Sequence, residues 1–333
     1  MQITVLSAGT WGITLSALLQ NRGHQVRVWE YSPEVVKVIT ETRRHPKLAE
    51  FLVPPQVTLT TDMPAALSGA EAVVCVVPAE HMRQTCHALA AGGYAGQPFI
   101  ICTKGIEKDS LLLMTEVAEQ ELGTAYAGQL AVLTGPSHAE EVSRGLPTVV
   151  TAVAVDPRLA EAVQQIFITP RFRVYSHTDV RGVELGGALK NVIAIACGIS
   201  DGLGNGDNAK AALITRGLHE ILRLGVALGA RQETFFGLTG LGDLVVTAMS
   251  RHSRNWRFGS LVGSGVSPRE ALAKVGMVVE GHYTVQATVA LARREQVEMP
   301  ISQAVYEVLF GKLSPGDAVA ALMVRQPKSE TGR

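Results

Sequence analysis

The first half of the sequence alternates short apolar runs with segments of helical pattern. The runs ITVLS, AVVCVV, PFIICT and QLAVLTG are apolar at almost every position, and helical segments separate them. Strands of this kind are covered on both faces, as in a parallel sheet flanked by helices. The repeated β-α units therefore predict a doubly wound, mostly parallel sheet over residues 1–178, with ligands bound at the carboxyl ends of its strands.

The second half of the sequence is helical in pattern from about residue 180 onward. A long apolar run over 180–199 is followed by AALITRGLHEILRLGVALGA and by helical segments near 268–274, 283–295 and 301–311. At 333 residues the chain is long enough for two hydrophobic cores. We therefore predict an all-helical second domain over residues 179–328 and a loose tail over 329–333.

The composition of the chain argues against several classes of partner. It is 47% hydrophobic and 18% charged, with 30 basic and 30 acidic residues and a formal net charge of zero. These values disfavour a disordered or nucleic-acid-binding protein. A neutral protein can still bind a small anion, such as a small-molecule substrate, but it needs a local basic site to do so. No CxxC pair occurs, so no metal site or disulfide framework is predicted for Cys75, Cys86, Cys102 and Cys197.

The sequence carries no pattern typical of export or of a membrane span. Its first residues lead directly into a strand-like run, without a basic segment or a cleavage site. No run of about 18 apolar residues is free of charged or polar interruptions. We therefore expect a cytoplasmic protein that does not associate with membranes.

The first strand runs into VLSAGTWG, a variant of the Gly-x-Gly-x-x-Gly loop of dinucleotide sites. Ser7 stands where the first glycine would make the tight turn, whereas Gly9 and Gly12 keep the positions for pyrophosphate approach and helix packing. A serine at positive φ costs about 1 kcal/mol. The N–H groups at the start of the following helix favour an anion. The loop predicts a Rossmann-type dinucleotide site, although a structural turn would give the same pattern.

Glu30 ends the second predicted strand, 18 residues after Gly12. An acidic side chain at this place accepts hydrogen bonds from an adenosine ribose, whereas the alternative is a solvated strand end. A carboxylate here would repel a 2′-phosphate. We therefore expect a preference for NAD(H), with NADP still possible because Arg27 lies nearby in the sequence.

Lys190 is the only charged residue between Glu184 and Asp201, in a helical run that is apolar on every face. A helix of this kind is buried, and burial lowers the pKa of a lysine toward neutrality. A proton donor needs such a pKa, so Lys190 is the candidate catalytic residue. The alternative is a lysine whose stem reaches the surface.

Asp243 and a basic cluster complete the candidate site. Asp243 is the only charge in LTGLGDLVVT, so it could pair with Lys190, hold a substrate hydroxyl, or lie in a solvated loop. SRHSRNWRFG is the most basic stretch of the chain, and arginine forks suit phosphate oxygens. Lys104 and the segment LTGPSHAEE follow strand ends, where sheet ligands bind. We interpret His138, within that segment, as structural.

A series of motifs in order along the chain resembles bacterial NAD(P)-dependent glycerol-3-phosphate dehydrogenases. The motifs are TVLSAGTWG, CTKGIE, TGPSHAEEV, ELGGALKNVIAIACGISDGLGNGDNAKAALITRG, TGLGDLVVT, RNWRFG and VVEGHYT. The resemblance covers nearly the whole chain and implies a Rossmann domain plus a helical domain of the 6-phosphogluconate dehydrogenase type. It also implies interconversion of sn-glycerol 3-phosphate and dihydroxyacetone phosphate for phospholipid synthesis, in a family that commonly forms homodimers.

The resemblance further implies roles for individual residues, with Lys190 as the proton-transferring group and Asp243 beside it. The residues expected around the substrate are Lys104, Gly135, Ser137, Lys190, Asp243, Ser253, Arg254 and Asn255. Besides Ser7, Gly9, Gly12 and Glu30, the residues expected to contact the cofactor are Thr10, Trp11, Tyr31, Lys104, Ala139, Arg254, Val278 and Glu280.

Two other functions fit part of this pattern. A hydroxy-acid or ketopantoate reductase would share the glycine loop and a catalytic lysine, but it would lack the HSRN cluster that a phosphate substrate calls for. A nucleotide-binding sensor without catalysis would have no need of Lys190, Asp243, Arg254 and Asn255. Ser7 replaces the family's glycine, which bears on cofactor affinity rather than on identity.

Overall fold

The computed structural model describes residues 1–327 and 329–330. Its strands are β1 Gln2–Leu6, β2 Gln25–Trp29, β3 Arg44–His45, β4 Leu48–Leu52, β5 Thr58–Thr60, β6 Ala72–Cys75, β7 Phe99–Ile101, β8 Leu130–Thr134, β9 Thr148–Ala154 and β10 Phe172–His177. Eight strands form one sheet in the order β10-β9-β8-β7-β6-β1-β2-β5. Neighbours run parallel except for β8 and β9, which pair antiparallel. This confirms the predicted mostly parallel sheet.

Helices cover the sheet and form the rest of the chain. Those of the first half are α1 Thr10–Asn21, α2 Pro33–Thr42, α3 Met63–Leu67, α4 Met82–Ala91, α5 Met114–Leu122, α6 Ala139–Val142 and α7 Pro157–Phe167. All residues of β6 and β8 are buried, as expected for strands covered on both faces.

The second half is helical, as predicted. Its helices are α8 Val180–Gly202, α9 Gly206–Ala227, α10 Asp243–Met249, α11 Arg254–Gly263, α12 Pro268–Val275, α13 Glu280–Arg294, α14 Pro300–Phe310 and α15 Pro315–Met323. The change from sheet to helices falls between His177 and Val180. Residues 328 and 331–333, which include most of the predicted tail, lie outside the described residues.

The hairpin of β3 and β4 was not predicted, because its sequence RHPKLAEFL lacks a clear alternation of apolar and polar residues. Its turn carries Lys47, whose Nζ donates a hydrogen bond of 2.8 Å to the carbonyl of Gly276, just after α12. The hairpin therefore connects the sheet domain to the helical domain.

Helix α8 is the centre of the helical domain. All its residues from Gly182 to Ser200 are buried, and it packs against α9, α10, α11, α13 and α14. By length and composition alone it could cross a membrane, but its most apolar window lies entirely inside the fold. A core helix has the same property.

Helices α8 and α11 approach closely through glycines. A Cβ atom on Gly198 would lie 2.2 Å from the carbonyl oxygen of Trp256, and one on Gly259 would lie 2.2 Å from that of Ile195. Only glycine leaves room for backbones at this separation. The contact holds the beginning of α11, with Ser253 as its N-cap, against the middle of α8.

The loop between β1 and α1 has the conformation that its sequence suggests. Ser7 has φ of +90°, so the serine does occupy a turn that favours glycine. A Cβ atom on Gly12 would lie 2.0 Å from the carbonyl oxygen of Ser7, whereas one on Gly9 would lie 3.6 Å from the Ser7 Oγ. Gly12 is therefore required for packing of the helix on the loop, and Gly9 is not.

We predict that Gly12→Ala lowers the free energy of unfolding by about 1–3 kcal/mol, because the methyl group collides with backbone that must move. The matched variant Gly9→Ala should change it by less than about 0.5 kcal/mol. Urea denaturation of both variants measures the difference. Equal stability of Gly12→Ala and Gly9→Ala would contradict the packing role of Gly12.

Candidate active site

Three charged side chains from the two domains meet in one buried cluster. Asp243, the first residue of α10, accepts a hydrogen bond of 2.5 Å from Lys190 Nζ on α8. It accepts a second, of 2.7 Å, from the Nζ of Lys104, which follows β7. Lys190 and Asp243 are only 5% and 1% exposed. The sequence left three environments open for Asp243, and in the structure it pairs with Lys190.

The electrostatics of this cluster favour a lysine that titrates near neutral pH. Burial lowers the pKa of Lys190 to about 7, and the charge of Lys104 acts in the same direction, while Asp243 opposes both. Burial alone would raise the pKa of the Asp243 carboxyl, but the two ammonium groups hold it below its usual value. Asp243 is therefore ionised at pH 7, when Lys190 can exist both with and without its proton.

Thr247 is a member of the cluster that the sequence reasoning missed. Lys190 Nζ donates a hydrogen bond of 2.7 Å to Thr247 Oγ1, and the Thr247 hydroxyl donates one of 2.6 Å to the Asp243 carbonyl. Two of the three ammonium N–H groups of Lys190 are thus used, which leaves one for a ligand. The spacing of four residues from Asp243 on one helix could have indicated Thr247.

A π-helical turn over Leu238–Gly242 leads into α10 and sets the position of Asp243. A Cβ atom on Gly186 of α8 would lie 2.8 Å from the carbonyl oxygen of Thr239 in this turn. Glycine at position 186 thus lets the turn pack directly on α8, one helical turn before Lys190. Wide turns of this kind are frequent at functional sites.

The turn after β8 joins the same cluster. The carbonyl oxygen of Gly135 accepts hydrogen bonds from Lys104 Nζ at 3.0 Å and from Ser137 Oγ at 2.9 Å. Gly135 has φ of +143°, and a Cβ atom there would lie 3.0 Å from Cα of Val150. Three of the predicted substrate residues, Lys104, Gly135 and Ser137, are therefore contiguous with Asp243.

The beginning of α11 holds the remaining predicted substrate residues. Ser253 caps the helix, and its Oγ accepts a hydrogen bond of 3.2 Å from the N–H of Trp256. Asn255 uses its side chain inside the domain, since Nδ2 donates to Asn191 Oδ1 and Oδ1 accepts from the N–H of Gly281, both at 2.9 Å. The open N–H groups of the first turn remain for an anion.

The loop of Ser7, Gly9 and Gly12 fits the pyrophosphate of a dinucleotide. Helix α1 has no side-chain cap, so no capping side chain occupies the N–H groups of its first residues, Thr10 and Trp11. Gly9, the N-cap residue of α1, has no side chain that could obstruct an approaching phosphate.

Glu30 lies at the position expected for a ribose contact, and it also forms a hydrogen bond with the loop. Its Oε2 accepts a hydrogen bond of 2.6 Å from the N–H of Ala8, and its Oε1 accepts one of 3.1 Å from the N–H of Ser32. Each carboxylate oxygen has a second lone pair for a ligand hydroxyl. The neighbouring Tyr31 is 78% exposed, so its ring is open to a ligand.

The other predicted cofactor residues lie where the helical domain meets the sheet. Glu280 begins α13, and its Oε1 accepts a hydrogen bond of 3.2 Å from the N–H of Ala79, which follows β6. Burial raises the pKa of Glu280 to about 7, with the charge of Arg254 opposing this. Val278 lies two residues earlier, and Ala139 is buried at the start of α6.

Comparison with known proteins gives matches along nearly the whole chain. Residues 2–160 match the family model described as the N-terminus of NAD-dependent glycerol-3-phosphate dehydrogenase. Residues 179–320 match the model described as its C-terminus.

Individual relatives agree with these models. A glycerol-3-phosphate dehydrogenase [NAD(P)+] of Oceanobacillus iheyensis is 46% identical over 329 residues, covering 99% of this chain and 95% of the relative. One of Protochlamydia amoebophila is 45% identical and covers 99% of both chains. The crystal structure of glycerol-3-phosphate dehydrogenase from Coxiella burnetii is similar with a TM-score of 0.92 at 38% identity, covering 97% of this chain and 99% of that one.

Proposed function

Because the chain belongs to the NAD-dependent glycerol-3-phosphate dehydrogenase family, we propose that the cluster of Lys190, Asp243 and Lys104 is its catalytic centre. The protein is an oxidoreductase, an NAD(P)-dependent glycerol-3-phosphate dehydrogenase. Membership of this family favours a dehydrogenase with a phosphate substrate over the two alternatives, a ketopantoate-type reductase and a non-catalytic sensor. When bound, the nicotinamide supplies or accepts the hydride at the carbon that is reduced or oxidised.

Lys190 moves the proton of the reaction. During reduction of dihydroxyacetone phosphate, its ammonium donates a proton to the carbonyl oxygen of the substrate through the N–H that Asp243 and Thr247 leave open. In the reverse direction, the neutral amine removes the proton of the secondary hydroxyl of glycerol 3-phosphate. Burial lowers the pKa of Lys190 to about 7, which makes both forms available at neutral pH. The observation that carries the proposal is the position of Lys190, which is 5% exposed and hydrogen bonded to Asp243 at 2.5 Å.

Asp243 and Lys104 position and tune this amine. Asp243 fixes the direction of Lys190 Nζ. Its negative charge also stabilises the buried ammonium form of Lys190. Lys104 lowers the pKa of Lys190, and its own side chain is only partly buried. Through its bond to Gly135, Lys104 also orders the turn that carries Ser137, on the substrate side of the cluster.

The beginning of α11 binds the substrate phosphate. The first-turn N–H groups, the Ser253 cap and the guanidinium of Arg254 provide the donors and the positive charge. Asn255 ties this turn to α8 and α13, so the phosphate is held at a fixed place relative to Lys190. Orientation of the reacting carbon in this way lowers the barrier of the chemical step.

Several further properties belong to the proposal. We place the domain boundary at 178/179, between the last strand and α8, near the gap between the two family models. A homodimer and a role in supplying glycerol 3-phosphate for phospholipid synthesis are supported by the resemblance of the motifs to the bacterial enzymes. A cytoplasmic location is the expectation from the sequence pattern. We propose no nucleic-acid partner, in keeping with the formal net charge of zero.

The experiment that tests the catalytic role is the substitution Lys190→Met. Turnover of dihydroxyacetone phosphate with NADH should fall by at least about 100-fold, because proton transfer is lost. The dissociation constant of NADH, measured by fluorescence titration, should change by less than about twofold, because Lys190 lies at the substrate. The exposed Lys312→Met is the matched control and should retain activity. Equal loss of turnover and NADH binding would instead assign Lys190 a packing role.

The choice between the two nicotinamide cofactors gives a further prediction. Because the Glu30 carboxylate stands beside the loop and would repel a 2′-phosphate, kcat/KM should be at least about 10-fold higher with NADH than with NADPH. Glu30→Gln keeps an oxygen that accepts the hydrogen bond from the Ala8 N–H but removes the charge. The variant should therefore lower the ratio of kcat/KM with NADH to kcat/KM with NADPH, mainly by raising kcat/KM with NADPH. A higher kcat/KM with NADPH in the unmodified enzyme would overturn this preference.

A further inference from the structure

One buried polar atom beside the catalytic cluster has no partner. Among the described residues, four buried side-chain nitrogen or oxygen atoms lack a hydrogen bond: Gln20 Oε1, Thr134 Oγ1, His138 Nε2 and His282 Nδ1. Buried polar groups are nearly always paired, so each such atom calls for an explanation. His138 stands between Ser137 and Ala139, which we have placed at the substrate and at the cofactor respectively.

The imidazole of His138 reaches from the sheet domain to the helix that carries the catalytic carboxylate. The backbone of Val246 on α10, between Asp243 and Thr247, influences the pKa of His138, so the ring lies close to this helix. Its ring centroid lies 6.0 Å from that of His252, which precedes the Ser253 cap of α11. His138 therefore lies near α10 and near the residue that precedes the proposed phosphate-binding turn.

The protonation state of His138 follows from these contacts. Burial lowers the pKa of His138, and the charge of Lys190 lowers it further, so the imidazole is neutral at pH 7. Nε2 has no hydrogen-bond partner among the described residues, and we assign the single proton of the neutral ring to Nδ1. Nε2 thus presents a lone pair, and it is an acceptor that needs a donor.

The substrate has one polar group that the proposed mechanism leaves without a partner. Its phosphate binds at α11 and its central oxygen faces Lys190, but its terminal hydroxymethyl group is unassigned. We propose that His138 Nε2 accepts a hydrogen bond from this hydroxyl, which makes His138 a specificity-determining residue. The inference rests on the proposed function, because it names a further contact of the same substrate.

The test compares dihydroxyacetone phosphate with hydroxyacetone phosphate, in which a methyl group replaces the hydroxymethyl group. The unmodified enzyme should prefer dihydroxyacetone phosphate by about 10-fold or more in kcat/KM, because the analogue leaves Nε2 unpaired. In His138→Leu the ratio should approach one, through loss on dihydroxyacetone phosphate alone. His138→Gln, whose side chain again offers a hydrogen-bond acceptor, should restore part of the preference for dihydroxyacetone phosphate.

A matched control separates this contact from a structural role. His252→Leu removes the neighbouring, exposed imidazole and should keep the ratio, because both substrates carry the same phosphate. An equal loss on both substrates in His138→Leu would overturn the inference, and so would a ratio near one in the unmodified enzyme. If the unmodified enzyme oxidised NADH with neither ketone, the proposed function itself would fail. That result differs from every outcome that concerns His138 alone.

Discussion

The carboxylate of Asp243, held between two ammonium groups, is the interaction on which the site depends. An isolated charge in a dry interior costs several kcal/mol, so a buried Lys190 requires this partner. Lys104 comes from the sheet domain, whereas Lys190 and Asp243 come from the helical domain. Both ion pairs therefore act on the proposed proton donor, and the pair of Lys104 with Asp243 also joins the two domains across the site.

The packing of α8 makes this arrangement possible. Because α8 is buried on every face, it carries Lys190 into the interior of the protein, where only 5% of the residue is exposed. Close glycine contacts place α11 on one side of it and the turn before α10 on the other. Asn255 donates a hydrogen bond to Asn191 and accepts one from the N–H of Gly281, and these bonds fix the proposed phosphate-binding turn relative to Lys190. In the proposed mechanism, one helix thus organises both substrate binding and proton transfer.

Part of this structure could be predicted from the sequence because it depends on local pattern. Periodicity indicated the sheet and the helical domain, and an isolated charge in an apolar helix indicated Lys190. Other features depend on contacts between distant segments, such as that of Lys104 with Asp243, 139 residues apart. No local pattern indicates that Asn255 uses its amide inside the domain. The motif resemblance placed these residues at the site, but their partners required the three-dimensional arrangement.

The central claim is that burial and Lys104 hold the pKa of Lys190 near neutrality in spite of Asp243. An NMR titration of the lysine side chains, with the Lys190 resonance assigned by its loss in Lys190→Met, measures this pKa directly. The account predicts a midpoint at about 7, so that the proton is lost as the pH rises through neutrality. A midpoint near 10.4, the value of an ordinary lysine, would contradict it.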